Sequence, residues 1–395
     1  MRTNIPVERD EVMLINKAYK FRIYPNKEQA TLINKTIGCS RFVFNHFLVK
    51  WNEAYKETGK GLTYSTCSKQ LPSLKQEYKW LKEVDSIAVQ SSVKNLSESF
   101  IRFFKKQNNA PRFKSKRNPT QSYTTKFTNG NIAIIDNKIK LPKLGFVKFS
   151  KSREVDGRIM NATIRRNPSG KYFISILAET EVEALPKTNQ STGIDVGITD
   201  FATLSDGTTF ANPRFLRTLE NKLEREQRKL SRRYEQARKD MKPLHEAKNY
   251  QKQRVKVVLI HEKIKNIRTD YLHKVSTEIV KNHDIIGIED LQVNNLLKNK
   301  RLSKAISEVS WSAFRTMLEY KAKWYGKKVQ PVAKNFPSSQ LCSACGYKYK
   351  EVKNLALRRW QCPTCHTHHD RDRNASINIE VEAIRLLTVG ATGIA

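Results

Sequence analysis

The chain has 395 residues, with 73 Lys or Arg against 38 Asp or Glu, a formal net charge of +35. That length accommodates two or three domains with separate cores. The charge excludes an ordinary enzyme of small neutral substrates and calls for a polyanionic partner. No apolar run reaches the roughly 18 residues of a membrane span. The cations are interleaved with aromatic and periodic apolar residues, so the expected partner is nucleic acid lying along folded surfaces.

In chain order, residues 1–11 are polar and unpatterned and read as an extension or a disordered arm. Leu14 to Tyr24 alternates as a strand does, and Pro25-Asn26 stops it. From Lys27 to about Phe104 apolar residues recur at helical spacing, through Phe44, Phe47, Trp51, Trp80, Val89, Val93 and Phe100, and are read as the core of a helical bundle. Residues 101–126 hold eight basic residues and no acidic one. Within them Arg112, Lys114, Lys116 and Arg117 flank Pro111 and Phe113, a pattern that suits contact with a phosphate backbone. Residues 132–177 are strand-rich, with a hairpin turning at Asn167-Pro168-Ser169-Gly170. Together with the first strand they suggest a small β-barrel interrupted by the helices. Residues 185–191 read as a linker.

A second half opens at Gly193-Ile194-Asp195-Val196-Gly197, a short apolar strand with one aspartate, followed by a tight hairpin. That is how an RNase H-like sheet begins, although actin-like ATPases also open on G-I-D-x-G. Residues 215–283 form a long charged helical stretch broken near Lys242-Pro243, expected as an antiparallel hairpin, with a coiled-coil dimer as the alternative. Its apolar seams are Leu216, Leu219, Leu223 and Leu230, then Ile260, Ile264, Ile267, Tyr271, Val275 and Ile279. Residues 284–291 are an apolar strand ending in Glu289-Asp290. Trp311 to Tyr325 is helical, Lys328 to Val332 is an edge strand, and Ala375 to Leu387 is a closing amphipathic helix.

Two Cys-x-x-Cys turns, Cys342/Cys345 and Cys362/Cys365, lie sixteen residues apart. Each presents two sulfurs from one loop, which fits a tetrahedral structural zinc ion better than disulfides or four buried thiols. The isolated Cys39 and Cys67 and the lack of a signal peptide fit a reducing, intracellular location. With four sulfurs closing the zinc site, His366, His368 and His369 are expected at the surface or on nucleic acid.

Three carboxylates occupy suggestive places: Asp195 on a first strand, Glu289 at the end of a later one, and Asp372 at a helix start. Oxygen ligands of this kind suit two magnesium ions that clamp the attacking and leaving oxygens of a phosphodiester, with Asp195 bridging. Each has a plain alternative: Asp372 a helix cap, Glu289 a solvated strand end, Asp195 a turn residue. Two of them, however, end apolar runs, where an unpaired charge costs several kcal/mol. Strand alternation with Gly287 selects Glu289 over Asp290. The place immediately before the helix selects Asp372 over Asp370.

The sequences G-I-D-V-G at 193–197, I-E-D-L at 288–291, S-x-x-C-x-x-C-G at 339–346 and C-x-x-C-x-x-x-H-D-R-D-x-N-A at 362–375 together resemble the TnpB family of insertion-sequence proteins, similar to type V CRISPR effectors. Tyr24 to Gln29 and Pro111 to Lys116 also resemble that family's amino-terminal half. The resemblance implies an α/β multidomain protein. A wedge-type β-barrel (1–30 and 118–185) is split by a helical recognition insert (31–117). An RNase H-like, RuvC-type nuclease domain (186–335 and 369–395) carries an inserted zinc ribbon (336–368) that binds target nucleic acid. It further implies RNA-guided cutting of double-stranded DNA beside a short flanking motif. The guide RNA would come from the transposon end. Asp195, Glu289 and Asp372 would be the catalytic acids holding two Mg2+, and the four cysteines would hold one Zn2+. A cytoplasmic, nucleoid-associated protein with no membrane partner is implied, monomer or dimer. The alternatives are a regulator of transposition that binds without cutting and a strand-transfer transposase.

Overall fold

The computed structural model describes residues 12–119, 121–300, 302–354 and 356–392, so the expected amino-terminal arm lies outside the described residues. The described residues divide into two compact units, residues 14–181 and residues 182–392, the latter with residues 12–13.

The first unit begins with β1 (Val12–Tyr24) and α1 (Lys27–Thr58). Asn26 starts α1: its side chain accepts from Gln29 N–H at 2.8 Å while Gln29 Oε1 accepts from Asn26 N–H at 3.1 Å, a reciprocal cap that satisfies two orphan donors. Gly59, at φ 68°, ends the helix in the left-handed conformation that glycine adopts without strain. Three further helices follow, α2 (Tyr64–Lys69), α3 (Leu71–Glu77) and α4 (Ser86–Phe104). Phe44, Phe47, Trp51, Val89, Val93 and Phe100 form their shared core, as helical periodicity requires, while Trp80 is 41% exposed and lies outside it. Cys39 and Cys67 are buried in the same core, and burial pushes the Cys39 thiol up to about 11.

The strands β2 (Gln121–Lys126), β3 (Ala133–Ile135), β4 (Lys138–Leu141), β5 (Gly145–Phe149), β6 (Arg158–Arg166) and β7 (Tyr172–Glu183) join β1 in one seven-stranded sheet, ordered β2-β6-β7-β1-β5-β4-β3. The β6–β7 hairpin turns where the sequence indicates, with Arg166 opposite Tyr172. Tyr19, Phe21 and Ile23 of β1 alternate into the sheet's core, where Ile33 and Ile37 of α1 also lie.

The second unit is built on a five-stranded sheet of order β10-β9-β8-β11-β12. Its strands are β8 (Ser191–Val196), β9 (Asp200–Leu204), β10 (Thr209–Ala211), β11 (Ile285–Glu289) and β12 (Lys328–Val332). The hairpin strands run antiparallel, whereas β8, β11 and β12 are mutually parallel. Parallel strands are covered on both faces, which is why β11 reads as a nearly unbroken apolar run, Ile-Ile-Gly-Ile before Glu289. Between β10 and β11 stand α5 (Phe215–Lys239) and α6 (Lys248–Asn282). Leu223 of α5 packs on Val257, Ile260 and Ile264 of α6, and Gln253 donates to the Glu226 carboxylate at 2.7 Å, so the apolar seam closes as a hairpin within one chain. Ile267 departs from the expected seam and is 38% exposed. After β11 come α7 (Val293–Leu296), α8 (Ser303–Val309) and α9 (Trp311–Trp324). Leu272, Val275 and Ile279 of α6 and Phe314 and Leu318 of α9 cover one sheet face.

The other face is covered by the last helix, α10 (Arg371–Thr392). The approach is unusually close. A Cβ on Gly193 would lie 2.0 Å from the Ser376 carbonyl oxygen, and one on Gly287 would lie 2.8 Å from the Ile379 carbonyl oxygen. These two glycines are register partners on β8 and β11. Gly193→Ala is therefore expected to force α10 off the sheet and to cost about 1–3 kcal/mol, read as a lowered midpoint in denaturant.

The segment before β8 is held rather than loose. Asp284 accepts from the backbone N–H groups of Thr188 and Asn189 at 2.9 and 2.7 Å and pairs with Lys327 at 2.5 Å. Burial alone would raise the Asp284 carboxyl, but the Lys327 ammonium and the two N–H donors outweigh it and hold it at about 2. Such a depressed carboxyl adds stability above its unfolded value near 4 that is lost as the pH falls towards 2. Asp284→Asn leaves the Lys327 side chain, 2% exposed, without a counter-charge. A loss of about 3 kcal/mol is expected near neutral pH, with the gap from the natural protein narrowing between pH 4 and pH 2 in urea titrations.

Candidate active site and metal centre

The parallel ladder pairs Gly193 with Gly287 and Ile194 with Ile288. The next residue on each strand is a carboxylate, Asp195 and Glu289. Because side chains alternate along a strand, both share the face of the two glycines, the face on which α10 lies. The first turn of α10 brings Asp372 to the same end of the strands. The three acids thus meet at the carboxyl ends of the parallel strands, where open α/β sheets place their ligands.

Burial first, then the charges of Glu289 and Asp372, push the Asp195 carboxyl well above its ordinary range. Burial also raises Glu289, against a hydrogen bond from Ser338 Oγ to Glu289 Oε1 at 2.6 Å. Burial raises Asp372 too, opposed by Arg358. The Arg358 guanidinium lies 3.0 and 3.1 Å from the two Asp372 oxygens and also donates to Thr199 Oγ1 at 3.3 Å. Among the described residues only the four cysteines are drawn tightly enough together to register as a metal cluster. The carboxylates are looser, with Asp372 turned to Arg358 and Glu289 to Ser338. Their donor set is oxygen only, and at Asp195 burial and the neighbouring acids outweigh the charges of Arg371 and Arg358, which suits a hard cation and not zinc.

The helix start differs from the sequence expectation. It begins at Arg371, so Asp372 lies inside the first turn, and the cap is Asp370, whose Oδ1 accepts from Asp372 N–H at 3.1 Å and Arg373 N–H at 3.2 Å. Asp370 takes up the capping role, which leaves the Asp372 side chain for the strand ends. Asp290 is likewise engaged elsewhere, by Arg315.

The sulfurs of Cys342, Cys345, Cys362 and Cys365 all lie within 4.8 Å of one another. Contacts of 3.5 Å between Cys342 and Cys365 and 3.6 Å between Cys345 and Cys362 approach the edge of a tetrahedral thiolate site. Each knuckle closes on a left-handed residue, Gly346 at φ 76° and His366 at φ 58°. His366 is therefore the knuckle's turn. His369 corrects the expectation of a surface histidine. It is buried beside Trp360, and its Nε2 lies 3.0 Å from Cys342 Sγ, a position that steadies a ligand sulfur. β13 (Arg359–Gln361) and β14 (His368–Asp370) carry these residues as a hairpin in which Trp360 faces His369.

The ribbon is fastened to α10. Asn374 donates to Leu341 O at 2.7 Å and accepts from Ser343 N–H at 2.9 Å, while Asn378 donates to the carbonyls of Ser338 and Leu341. Ser338 and Arg358, which touch Glu289 and Asp372, therefore belong to a framework anchored on the helix that carries Asp372. Neither has a periodicity or spacing that marks it in the sequence.

In the first unit Arg112, Lys116 and Arg117 are exposed. Lys114 is partly occupied, its ammonium 3.8 Å from the centre of the Phe44 ring. The backbone of this segment is pinned: Asn45 bonds both Lys114 N–H and Lys114 C=O, and Gln121 donates to the carbonyls of Ser115 and Asn118.

These features define an α/β protein with a four-cysteine ribbon tied to the helix that closes its acidic strand ends. Residues 175–300 match the family described as "Probable transposase" (OrfB of IS605), and residues 311–379 match the "Cas12f1-like, TNB domain". Residues 13–60 match a "Helix-turn-helix domain", where the structure has a strand and one long helix. A protein of Streptomyces pristinaespiralis named "Putative RNA-guided DNA endonuclease" is 35% identical over 92% of this chain and 89% of its own length. InsQ of Escherichia coli K12, named likewise, is 34% identical over 95% of this chain and 94% of its own. The chain belongs to the TnpB family. The Cas12f1 chain of a Cas12f1–sgRNA–target DNA complex has the same fold, with a TM-score of 0.60 at 14% identity over 93% of this chain and 99% of that one.

The four thiols are expected to bind about one zinc per chain. His369→Ala is expected to weaken that binding about 10–100-fold, measured by competition with a chromophoric chelator.

Proposed function

We propose that this chain is an RNA-guided DNA endonuclease that uses guide RNA from its transposon end and cuts double-stranded DNA beside a short flanking motif. The observation that carries the chemistry is the convergence of Asp195, Glu289 and Asp372 at one end of the parallel strands. The names of two relatives, each matched over most of its length, support the guided nuclease reading.

In this reading the unit of residues 182–395 is a RuvC-type domain of RNase H order, at 186–335 and 369–395, with the ribbon at 336–368. The seven-stranded sheet is the wedge, at 1–30 and 118–185, and α1–α4 within 31–117 are the recognition insert. Asp195, Glu289 and Asp372 would hold two Mg2+ ions, which when bound supply Lewis-acid stabilisation of the phosphodiester's developing charge. The four cysteines would hold the structural Zn2+. Hydrolysis adds a water oxygen to phosphorus, breaks the bond to the leaving oxygen and returns a proton to that oxygen. Buried Asp195 supplies a fixed carboxylate behind the reacting phosphate. Ser338 orients Glu289, and Arg358 orients Asp372 and offers a second charge that a phosphate oxygen can share. Base pairing with the guide carries the sequence specificity. Arg112, Lys114, Lys116 and Arg117 contribute to gripping the backbone.

Purified with RNA from its own locus, the protein is expected to linearise plasmids only beside particular flanking sequences, in the presence of Mg2+. Asp195→Ala, Glu289→Gln and Asp372→Asn should each reduce cutting on the order of a thousandfold while RNA still co-purifies. Variants that cut as the natural protein does would show that these acids are not the catalytic set.

A further inference from the structure

Beside the strand ends lies a cavity of about 280 Å³ that the nuclease reading does not use. Glu289 forms one wall, so the cavity borders the proposed reaction site. Val196, Ile288, Leu291 and Trp311 give it an apolar side, and the first turns of α9 give it a polar one through Arg315, Thr316 and Glu319.

Trp311, only 8% exposed, adds its ring to the apolar lining. The polar side is built. Arg315 is braced on both flanks, by Asp290 through Nη1 and by Glu319 through Nε at 2.8 Å. Thr316 spends its hydroxyl proton on Ser312 O at 2.9 Å, which leaves that oxygen as an acceptor.

The charge around the cavity decides what it takes. Two carboxylates, Asp290 and Glu319, hold the one guanidinium and a third, Glu289, lines the cavity, which disfavours a phosphate. Arg315 already occupies Asp290 and Glu319, which disfavours another divalent cation. What remains is a neutral group with apolar faces and a rim of mixed donors and acceptors. A nucleobase has that form. Resting on the nuclease reading above, we propose that this cavity receives one unstacked base of the DNA strand being cut, next to the scissile phosphate. Arg315 would donate to its acceptors, and Thr316 Oγ1 would accept from its donors. The site thereby fixes the strand's register over the carboxylates and imposes a base preference at the cut.

The test uses the Asp195→Ala protein with its guide RNA and a target whose displaced strand carries 5-iododeoxyuridine at successive positions. Irradiation is expected to cross-link the peptide spanning residues 311–319 from one or two adjacent positions. With the natural protein, an abasic residue at that position should raise KM about fivefold with little change in kcat. Thr316→Val should alter which base is preferred there. Cross-links confined to other segments, or an abasic scan that is flat at every position while cutting is normal, overturn the pocket and leave the nuclease standing. A natural protein that binds guide and target yet cuts neither strand overturns the nuclease reading instead, and the cross-link still decides whether the cavity takes a base.

Discussion

The structure of the second unit rests on the absence of two side chains. Gly193 and Gly287 sit side by side on neighbouring parallel strands, and α10 lies where their Cβ atoms would be. Glycine within a strand costs roughly 0.5–1 kcal/mol in backbone entropy. Against this, Ile379 and Ala383 of α10 become fully buried. The contact also fixes geometry. With the helix pressed to the sheet at these points, its first turn falls at the strand ends, and Asp372 joins Asp195 and Glu289. Asn374 and Asn378 on the same helix hold the ribbon, so the cysteine knuckles take their position from the same close approach.

Charge is divided unevenly in this molecule. A chain with a net charge of +35 nevertheless gathers acids where burial penalises their ionised forms. The cationic surface draws in a polyanion that the acidic centre, taken alone, repels. In the proposed function, cations held among the acids would reconcile the two. Arg358 meets part of that need through its contact with Asp372.

Much of this was legible in the sequence, because it is written in local patterns. Pro25-Asn26 marks the end of β1, helical spacing from Lys27 marks α1, and the apolar runs ending in Asp195 and Glu289 mark the strands. Helical spacing selected most of the first unit's helical core, with Trp80 the exception. What escaped are contacts between distant residues. Arg358 reaches Thr199 across 159 positions and Ser338 reaches Glu289 across 49. No periodicity reports such pairs. The start of α10 was misplaced by a finer margin: Asp370 and Asp372 are both good caps by composition, and only the backbone shows that Asp370 holds the position. His369 was misjudged for a related reason. Its neighbours are polar and two of them are histidines, but strand pairing turns it inward onto Trp360.

The basic segment around Lys114 carries a consequence for kinetics. Its peptide groups are already engaged by Asn45 and Gln121, so the loop has little conformational freedom left to surrender when it meets an anionic chain. A flexible polycation must order itself during each encounter, and much of its attraction is spent in doing so. In the proposed contact with a nucleic-acid backbone the spacing of the charges would be set beforehand, so the loop would act as a stencil and not as a tether.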